Sequence, residues 1–364
     1  MSEVHIGFMG AGGIARAHAY ALNALKFYYD SVPDIVFESV TSAREVSRVE
    51  FASKYNFNTA EDILTFGENA AIDAVLILGP NKVHFDHLEI ALSMPRVKNI
   101  YLEKPVCSTY DEEKQMHKLL SELPGDKSVM VGFQFIQSAA IREALTFWKS
   151  GILGNPLHFD LKYYHGDYLQ AGYREKRVTR LTPAPDGGAM ADLGSHGISM
   201  LMAFFGNDLE ILNAFQTGSF DDVPPGSDLF SSISLIDPKS RAVGNMSASR
   251  ISSGTGDWVN LEIFAENGYI KYSSLSPDSY EYYIESDQKC IKQAVGSNYK
   301  PITGFPSGHV PPGWLRAMVH AHFIFLTGDS RGSFLPDLSH GLAVQRIVRE
   351  TAGHLSSFRE KNIK

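Results

Sequence analysis

Lys104, Asp192 and His196 are the side chains whose neighbours best equip them to move a proton. Glu103-Lys104-Pro105 sets a charged pair and a proline directly after an apolar strand, Asn99 to Leu102. Charges at the carboxyl end of a buried strand lie in the crevice where α/β sheets bind ligands, and an X-Pro bond is the kind that takes the cis form. Asp192 and His196 stand four apart in Gly187-Gly188-Ala189-Met190-Ala191-Asp192-Leu193-Gly194-Ser195-His196. On a helix that spacing puts both on one face. It suits a carboxylate that orients an imidazole for acid–base work near neutral pH.

The elements that must hold these groups start at the N-terminus. Val4 to Met9 is a short apolar run, and helical spacing begins near Ile14. Between them lies Gly10-x-Gly12-x-x-Ala15, the small-residue fingerprint of a dinucleotide-binding βα turn. Gly10 permits the tight turn, Gly12 lets backbone approach a pyrophosphate, and Ala15 lets helix and strand pack closely. The free N–H groups opening the helix, at Gly13 and Ile14, and the positive end of its dipole then face phosphate.

Further strands are expected at Ile35–Val40, Ile72–Leu78, Asn99–Leu102 and Val129–Phe133. They alternate with helices at Ile14–Phe27, Glu45–Tyr55, His84–Leu92 and from Thr109 to Leu123, where Thr109-x-x-Glu112 forms a capping box. This alternation predicts a doubly wound parallel sheet. Past residue 130, a helix at Ile141–Lys149 is followed by strands at Leu157–Tyr164, Leu229–Leu235, Arg241–Ser249, Val259–Ala265 and Gly268–Tyr272. Asp237-Pro238-Lys239-Ser240 and Asn267-Gly268 are hairpin turns, which implies a mainly antiparallel sheet. Residues 294–313, rich in Gly, Pro and Ser, read as a loop, and Ser339–Ser357 as a closing helix. The expected class is α/β: a dinucleotide-binding domain over 1–130 and an α+β substrate and oligomerisation domain over 131–364, with the closing helix free to pack back on the first.

At 364 residues two cores are the default. A net charge of −8 disfavours a nucleic-acid surface. No basic run suits an anionic membrane, and no apolar run is long enough to span one. Two cysteines, Cys107 and Cys290, make no disulfide framework, and Met1-Ser2-Glu3 lacks the regions of a signal peptide. The expectation is a cytoplasmic protein.

Ser42 and Arg44 decide the cofactor. A carboxylate after the second strand binds ribose hydroxyls, whereas arginine accommodates a 2′-phosphate. Val40-Thr41-Ser42-Ala43-Arg44 offers a hydroxyl and a guanidinium, so NADP is favoured over NAD. Glu38, inside the strand, is the competing carboxylate, and Arg44 has the rival role of capping a turn or pairing with Glu45.

Other readings are weaker. His84-x-x-His87 and His320-x-His322 have ligand-like spacing without an evident third ligand, so no metal is expected. Cys107 reads as a small buried hydrophobe. Ser195 beside His196 invites a hydrolase reading, but Leu193 breaks the nucleophile-elbow pattern. Tyr163, Tyr164, His165, Tyr168 and Arg174 either line a polyol pocket or face a dimer interface. Gln134 and Phe135 follow a strand end where a nicotinamide would lie.

Gly10-x-Gly12-x-x-Ala15, Pro80-Asn81-x-x-His84, Glu103-Lys104-Pro105 and Gly187-Gly188 through Asp192 to His196 together resemble the Gfo/Idh/MocA family, the glucose–fructose oxidoreductase and inositol dehydrogenase group. The resemblance spans nearly the whole chain. It implies an N-terminal Rossmann domain and a C-terminal α+β domain whose sheet forms subunit interfaces, hence a homodimer or homotetramer. It also implies that Lys104 is the active-site lysine, that Asp192 and His196 belong to the catalytic set, and that Pro80, Asn81, His84, Glu103, Lys104 and Gln134 serve the cofactor. Many sugar and inositol dehydrogenases of the group place an aspartate three residues after the histidine, where this chain has Ser199.

The implied reaction is hydride transfer between a nicotinamide and a sugar, polyol or related carbonyl compound. Either His196 takes the hydroxyl proton while Lys104 stabilises the reacting oxygen, or Lys104 carries the proton itself. Tyr163, His165, Arg174, Asp192 and His196 are the candidate substrate contacts. The competing functions are an NAD-dependent glycosidase on the same fold and a non-catalytic NADP-binding module. The expectation at stake is that Lys104 and His196, from different lobes, meet at one nicotinamide ring.

Overall fold

Glycine at 10 ends β1 (Glu3–Met9) because the chain turns there at a φ of 141°, and a Cβ at that point would sit 2.6 Å from the Leu78 carbonyl carbon. The computed structural model describes residues 3–183, 187–295 and 313–362. These form two compact units, one of residues 3–137 with 314–341, the other of 138–183 and 187–295 with 313 and 342–362.

In the first unit β1 leads into α1 (Gly13–Tyr28), followed by β2 (Asp34–Thr41), α2 (Glu45–Tyr55), β3 (Thr59–Glu61), α3 (Ile63–Glu68), β4 (Ala74–Ile77), α4 (His84–Ser93), β5 (Asn99–Leu102), α5 (Tyr110–Ser121) and β6 (Ser128–Val131). All six strands are parallel, in the order β3-β2-β1-β4-β5-β6. The expected doubly wound sheet is present, reversing between β1 and β4, where ligand crevices form. Thr109 and Glu112 make the capping box at the start of α5, side chain to backbone in both directions. The core holds Phe8, Phe37, Phe51 and Phe57, with Phe8 and Phe57 edge to face at 5.0 Å.

Sequence reading missed β3 and α3, each too short to show a period. In the second unit α6 (Ala139–Lys149) precedes β7 (Pro156–Tyr164), α7 (Ala171–Lys176), α8 (Ser195–Phe205), β8 (Glu210–Thr217), β9 (Phe230–Ile236), β10 (Val243–Ser249), β11 (Trp258–Ala265), β12 (Gly268–Ser273), β13 (Ser279–Ile284) and β14 (Lys289–Ala294). Near the end of the chain are α9 (Gly313–Thr327), also missed by the sequence reading, and α10 (Leu338–Asn362).

Missing α9 has a physical reason: Ala317, Met318, Val319, Ala321, Phe323 and Ile324 are all buried, so the helix carries no polar face to mark its period. The loop expected over 294–313 falls mostly on 296–312, outside the described residues. The eight strands run β14-β13-β12-β11-β7-β10-β9-β8. Neighbours are antiparallel except β7 and β10, which pair in parallel, Val243 opposite His158 to Ser249 opposite Tyr164. The overlooked β8 and β14 are its edges. Their side chains are largely exposed on both faces, so apolar alternation is absent. Gly268, at a φ of 152°, closes the β11–β12 hairpin, where a Cβ would strike the Tyr283 carbonyl oxygen.

Candidate functional site

In the first unit the β1–α1 turn leaves the helix start bare. Gly12 precedes α1 with no side chain capping its N–H groups, and no acidic residue stands in the first turn. A Cβ added at Gly12 or Gly13 would meet no atom of the described residues within 4 Å. Packing therefore does not demand glycine at these two positions; what their smallness preserves is open space over the donors, as a pyrophosphate requires. Ala15, in contrast, is fully buried against the sheet core.

Beside this turn is a cavity of about 590 Å³ whose walls include Gly10, Gly12, Ser42, Arg44, Arg48, Gly79, Pro80 and Lys82. Three cations face it against one carboxylate, Asp62, whose oxygens accept from Leu64 N, Thr65 N and the Thr65 hydroxyl. These bonds hold the Asp62 carboxyl below its ordinary pKa. Arg44 is exposed, and Arg48 donates from Nη1 to the Ser42 carbonyl at 3.3 Å while its buried Nε has no partner among the described residues. Glu38 is committed elsewhere, bonded to His5 Nδ1 and Asn58 Nδ2 at 2.9 Å each. Arg48 was missed by the sequence reading because it lies inside α2, one turn past the strand tip at Ser42–Arg44.

Lys104 is half-buried, and the Lys104-Pro105 bond is cis. The loop around it is tied down: His84, buried, places Nδ1 2.7 Å from the Pro105 carbonyl and Nε2 2.9 Å from that of Gly79. Of the expected cofactor contacts, Pro80 lines the cavity, while Asn81, His84, Glu103 and Gln134 are buried. Glu103 accepts from His18 at 2.9 Å and, through its other oxygen, from Lys104 N at 3.2 Å. The Oε1 of Gln134 is buried without a partner among the described residues.

In the second unit Gly187-Gly188 form a turn held by Asp228. The carboxylate of Asp228 receives Met190 N at 2.9 Å and Ser231 Oγ at 2.5 Å, and a Cβ on Gly188, at a φ of 91°, would come within 2.7 Å of it. Burial raises the Asp228 carboxyl pKa, and those bonds oppose the rise. A π-helical turn, Met190–Gly194, then delivers the chain into α8. Such turns recur at functional sites. Asp192 lies in this π turn and His196 in the first turn of α8. Gly197 follows because a Cβ there would stand 2.6 Å from Leu161 and Met246, so glycine lets the helix carrying His196 press onto β7 and β10.

Around them the structure gathers most of the expected substrate contacts. The Tyr163 ring lies 6.2 Å from that of His196, and its hydroxyl donates to Asp257 at 2.9 Å. Burial and then the Asp257 carboxylate push the Tyr163 pKa well up. His165 is buried, which lowers its pKa, and its ring stacks on Tyr168. The Asp192 carboxylate accepts from Arg250 Nη2 at 2.6 Å and from Arg180 Nη2 at 3.4 Å. Arg174 has a different set of partners: it donates to Asp222 and to the carbonyls of Tyr168 and Leu169, and it covers the Phe220 ring at 3.8 Å.

Arg250, at the end of β10 and wholly buried, is the main residue the sequence reading missed here. Its only signal was a charge directly after an alternating strand. Cys107 is buried, as expected of a small hydrophobe. His320 and His322 do not share a ligand: His322 bonds His18, and His320 bonds the Tyr29 hydroxyl. Among the described residues no group of three His, Cys, Asp or Glu is arranged to hold a metal, and no helix is long and apolar enough to cross a membrane.

Residues 4–133 match the oxidoreductase family, NAD-binding Rossmann fold, model of the Gfo/Idh/MocA group, and residues 141–271 match a Gfo/Idh/MocA C-terminal domain. Levoglucosan dehydrogenase of Pseudarthrobacter phenanthrenivorans is 25% identical over 95% of both chains. D-xylose 1-dehydrogenase [NADP(+)] of Haloarcula marismortui is 28% identical over 35% of this chain and 33% of its own. A solved levoglucosan dehydrogenase in complex with NADH and levoglucosan superposes with a TM-score of 0.81 at 22% identity, covering 97% of each chain.

Proposed function

Because the chain belongs to the Gfo/Idh/MocA oxidoreductase family, we propose that it is an NADP-dependent dehydrogenase acting on a CH–OH group of a sugar or polyol. The observation that carries the cofactor choice is the cation-rich cavity beside the bare α1 start, with Ser42, Arg44, Arg48 and Lys82 available to a 2′-phosphate and Glu38 tied to His5. The relatives' names, levoglucosan and xylose dehydrogenases, support a carbohydrate substrate.

Gly10, Gly12, Gly13, Ile14 and Ala15 form the pyrophosphate turn, and Pro80 bounds the same cavity. A bound nicotinamide supplies the hydride acceptor. Lys104 donates a hydrogen bond to the reacting oxygen and stabilises its developing charge. His196 takes the hydroxyl proton, and Asp192, itself held by Arg250, stabilises the charged imidazole. Tyr163 and His165 contribute polar groups to the substrate pocket. The open face of the second sheet, where Tyr164 meets Trp258 at 5.6 Å and Tyr269 stacks on Tyr283, serves self-association into a homodimer or homotetramer in the cytoplasm.

The test is a panel of aldoses, polyols and anhydrosugars with each nicotinamide, read as absorbance at 340 nm. Turnover with NADP well above that with NAD supports the reading. Equal turnover with both cofactors overturns the cofactor choice, and no reduction with any sugar overturns the substrate class.

A further inference from the structure

The first unit contains a buried polar chain that ties Glu103 of the Glu103-Lys104-Pro105 motif to two histidines, His18 and His322, which neither the family motifs nor the cofactor cavity includes. His18 on α1 and His322 on α9, 304 residues apart in sequence, approach within 2.8 Å, His18 Nδ1 to His322 Nε2. His18 Nε2 in turn lies 2.9 Å from Glu103 Oε1. Both imidazoles are fully buried and Glu103 nearly so. The Tyr101 ring packs on the two histidines at 5.1 Å each, fixing their planes. Gly132, at the end of β6, leaves the space that Glu103 fills: a Cβ there would lie 2.7 Å from Glu103 Oε1.

The protons along this chain follow from its partners. Glu103 accepts on both oxygens, from His18 and from Lys104 N, as an ionised carboxylate does. His18 Nε2 therefore carries a proton. His322 Nδ1 is buried with no hydrogen-bond partner among the described residues. An idle lone pair costs less than an idle buried N–H, so His322 holds its proton on Nε2 and donates to His18. Burial keeps His322 neutral, its pKa well below the ordinary value. The hydrogen bonds then converge on Glu103, one relayed from His322 through His18 and the other given by the Lys104 main-chain N–H. Because the chain ends blind at His322 it has no exit to solvent, and its geometry suits a brace rather than a proton path.

We propose that His18 and His322 are positioning residues for the reaction, holding Glu103 so that the Lys104 backbone, and with it the amine, is set at the reacting oxygen. This rests on the reading of Lys104 as the group that meets that oxygen. An orienting partner of this kind is commonly worth about 10- to 100-fold in activity.

The experiment compares His18→Leu, His18→Gln, His322→Leu and Lys104→Ala for kcat, NADPH dissociation constant by fluorescence, and melting temperature. His18→Leu and His322→Leu are expected to fold, to bind NADPH within about twofold of wild type, and to lose about 10- to 100-fold in kcat. His18→Gln, whose amide can donate to Glu103 while its carbonyl accepts from His322, is expected to recover much of the loss. Wild-type kcat in a folded His18→Leu or His322→Leu variant overturns the proposal, as does a His18→Gln variant no better than His18→Leu. Should His18→Leu fail to fold, His322→Leu and Glu103→Gln carry the same comparison. Full activity in Lys104→Ala would instead overturn the reading of Lys104, whatever the histidine variants do.

Discussion

The guanidinium of Arg250, with no solvent exposure, lies 2.6 Å from the carboxylate of Asp192, whose side chain keeps 23% of its surface. A fully buried charge has thus been brought under a half-buried one. Arg250 Nη1 also donates to the Arg180 carbonyl at 2.6 Å, and the Tyr168 ring covers its carbon at 4.7 Å. Removing one partner of such a pair takes away its shortest charge-assisted bonds, although Asp192, part-exposed, keeps its contact with Arg180. Arg250→Met is expected to lower stability by about 1–3 kcal/mol and to reduce kcat, since Asp192 then loses the shorter of its two guanidinium partners. Urea unfolding midpoints and steady-state rates on the same preparation check both. Unchanged kcat in a folded Arg250→Met variant would separate Asp192 from the chemistry.

Gly10 and Gly12 make a matched pair, since one is required by the fold and the other only by what it faces. Gly10→Ala places a side chain at a φ of 141° and against Leu78. A destabilisation of about 1–3 kcal/mol is expected from the backbone alone. Gly12→Ala meets nothing among the described residues, so its melting temperature should stay near wild type while NADPH affinity falls sharply. Differential scanning fluorimetry with and without NADPH distinguishes the two. A Gly12→Ala variant that binds NADPH normally would remove the pyrophosphate from this turn.

Arg48 is the sharper handle on the cofactor. Its unpartnered buried Nε and its place in the cavity wall, next to Ser42 and Arg44, suit a phosphate oxygen. Arg48→Ala is expected to raise the KM for NADP by about 10- to 100-fold, the worth of a charge-assisted hydrogen bond, with little change for NAD. Ser42→Asp should reinforce the shift by repelling the 2′-phosphate. Equal losses with both cofactors would assign Arg48 to the shape of the cavity instead.

What could be read in the sequence was what is local. The Gly10 turn, the Thr109 capping box and the Glu103-Lys104-Pro105 step each declare themselves within a few residues, and all stand where expected. The first sheet was legible because helical and strand periods alternate. The edges of the second sheet were not, since β8 and β14 bury neither face consistently. Asp192 and His196 could be picked out by spacing, but the π turn that carries Asp192 could not, because it depends on Asp228 fastening the Met190 N–H from 38 residues away. The pairings of Arg250 and His322 were illegible for the same reason: their partners lie 58 and 304 residues off, and a charged or aromatic residue in an apolar stretch does not name its partner.

The histidines also set how the fold responds to acid. His340, between Phe133 and Phe334, is held by burial at a pKa of about 4, and burial, helped by the neighbouring His84, brings His87 to about 4 as well. Both shifts are downward from the ordinary 6.5, so the unfolded chain binds protons that the folded chain does not. Stability is therefore fully present above about pH 6.5, falls as pH drops towards 4, and levels off below that. Each such group contributes a slope of about 1.4 kcal/mol per pH unit inside the window, so acid lability should set in well above the range where carboxylates titrate. His340→Leu, a non-titrating residue in an apolar seat, is expected to flatten the dependence between about pH 6.5 and 4 by about one such slope. Urea midpoints measured at half-unit steps of pH for wild type and variant check this. Parallel curves for the two proteins would show that His340 titrates in the fold as it does in the unfolded chain.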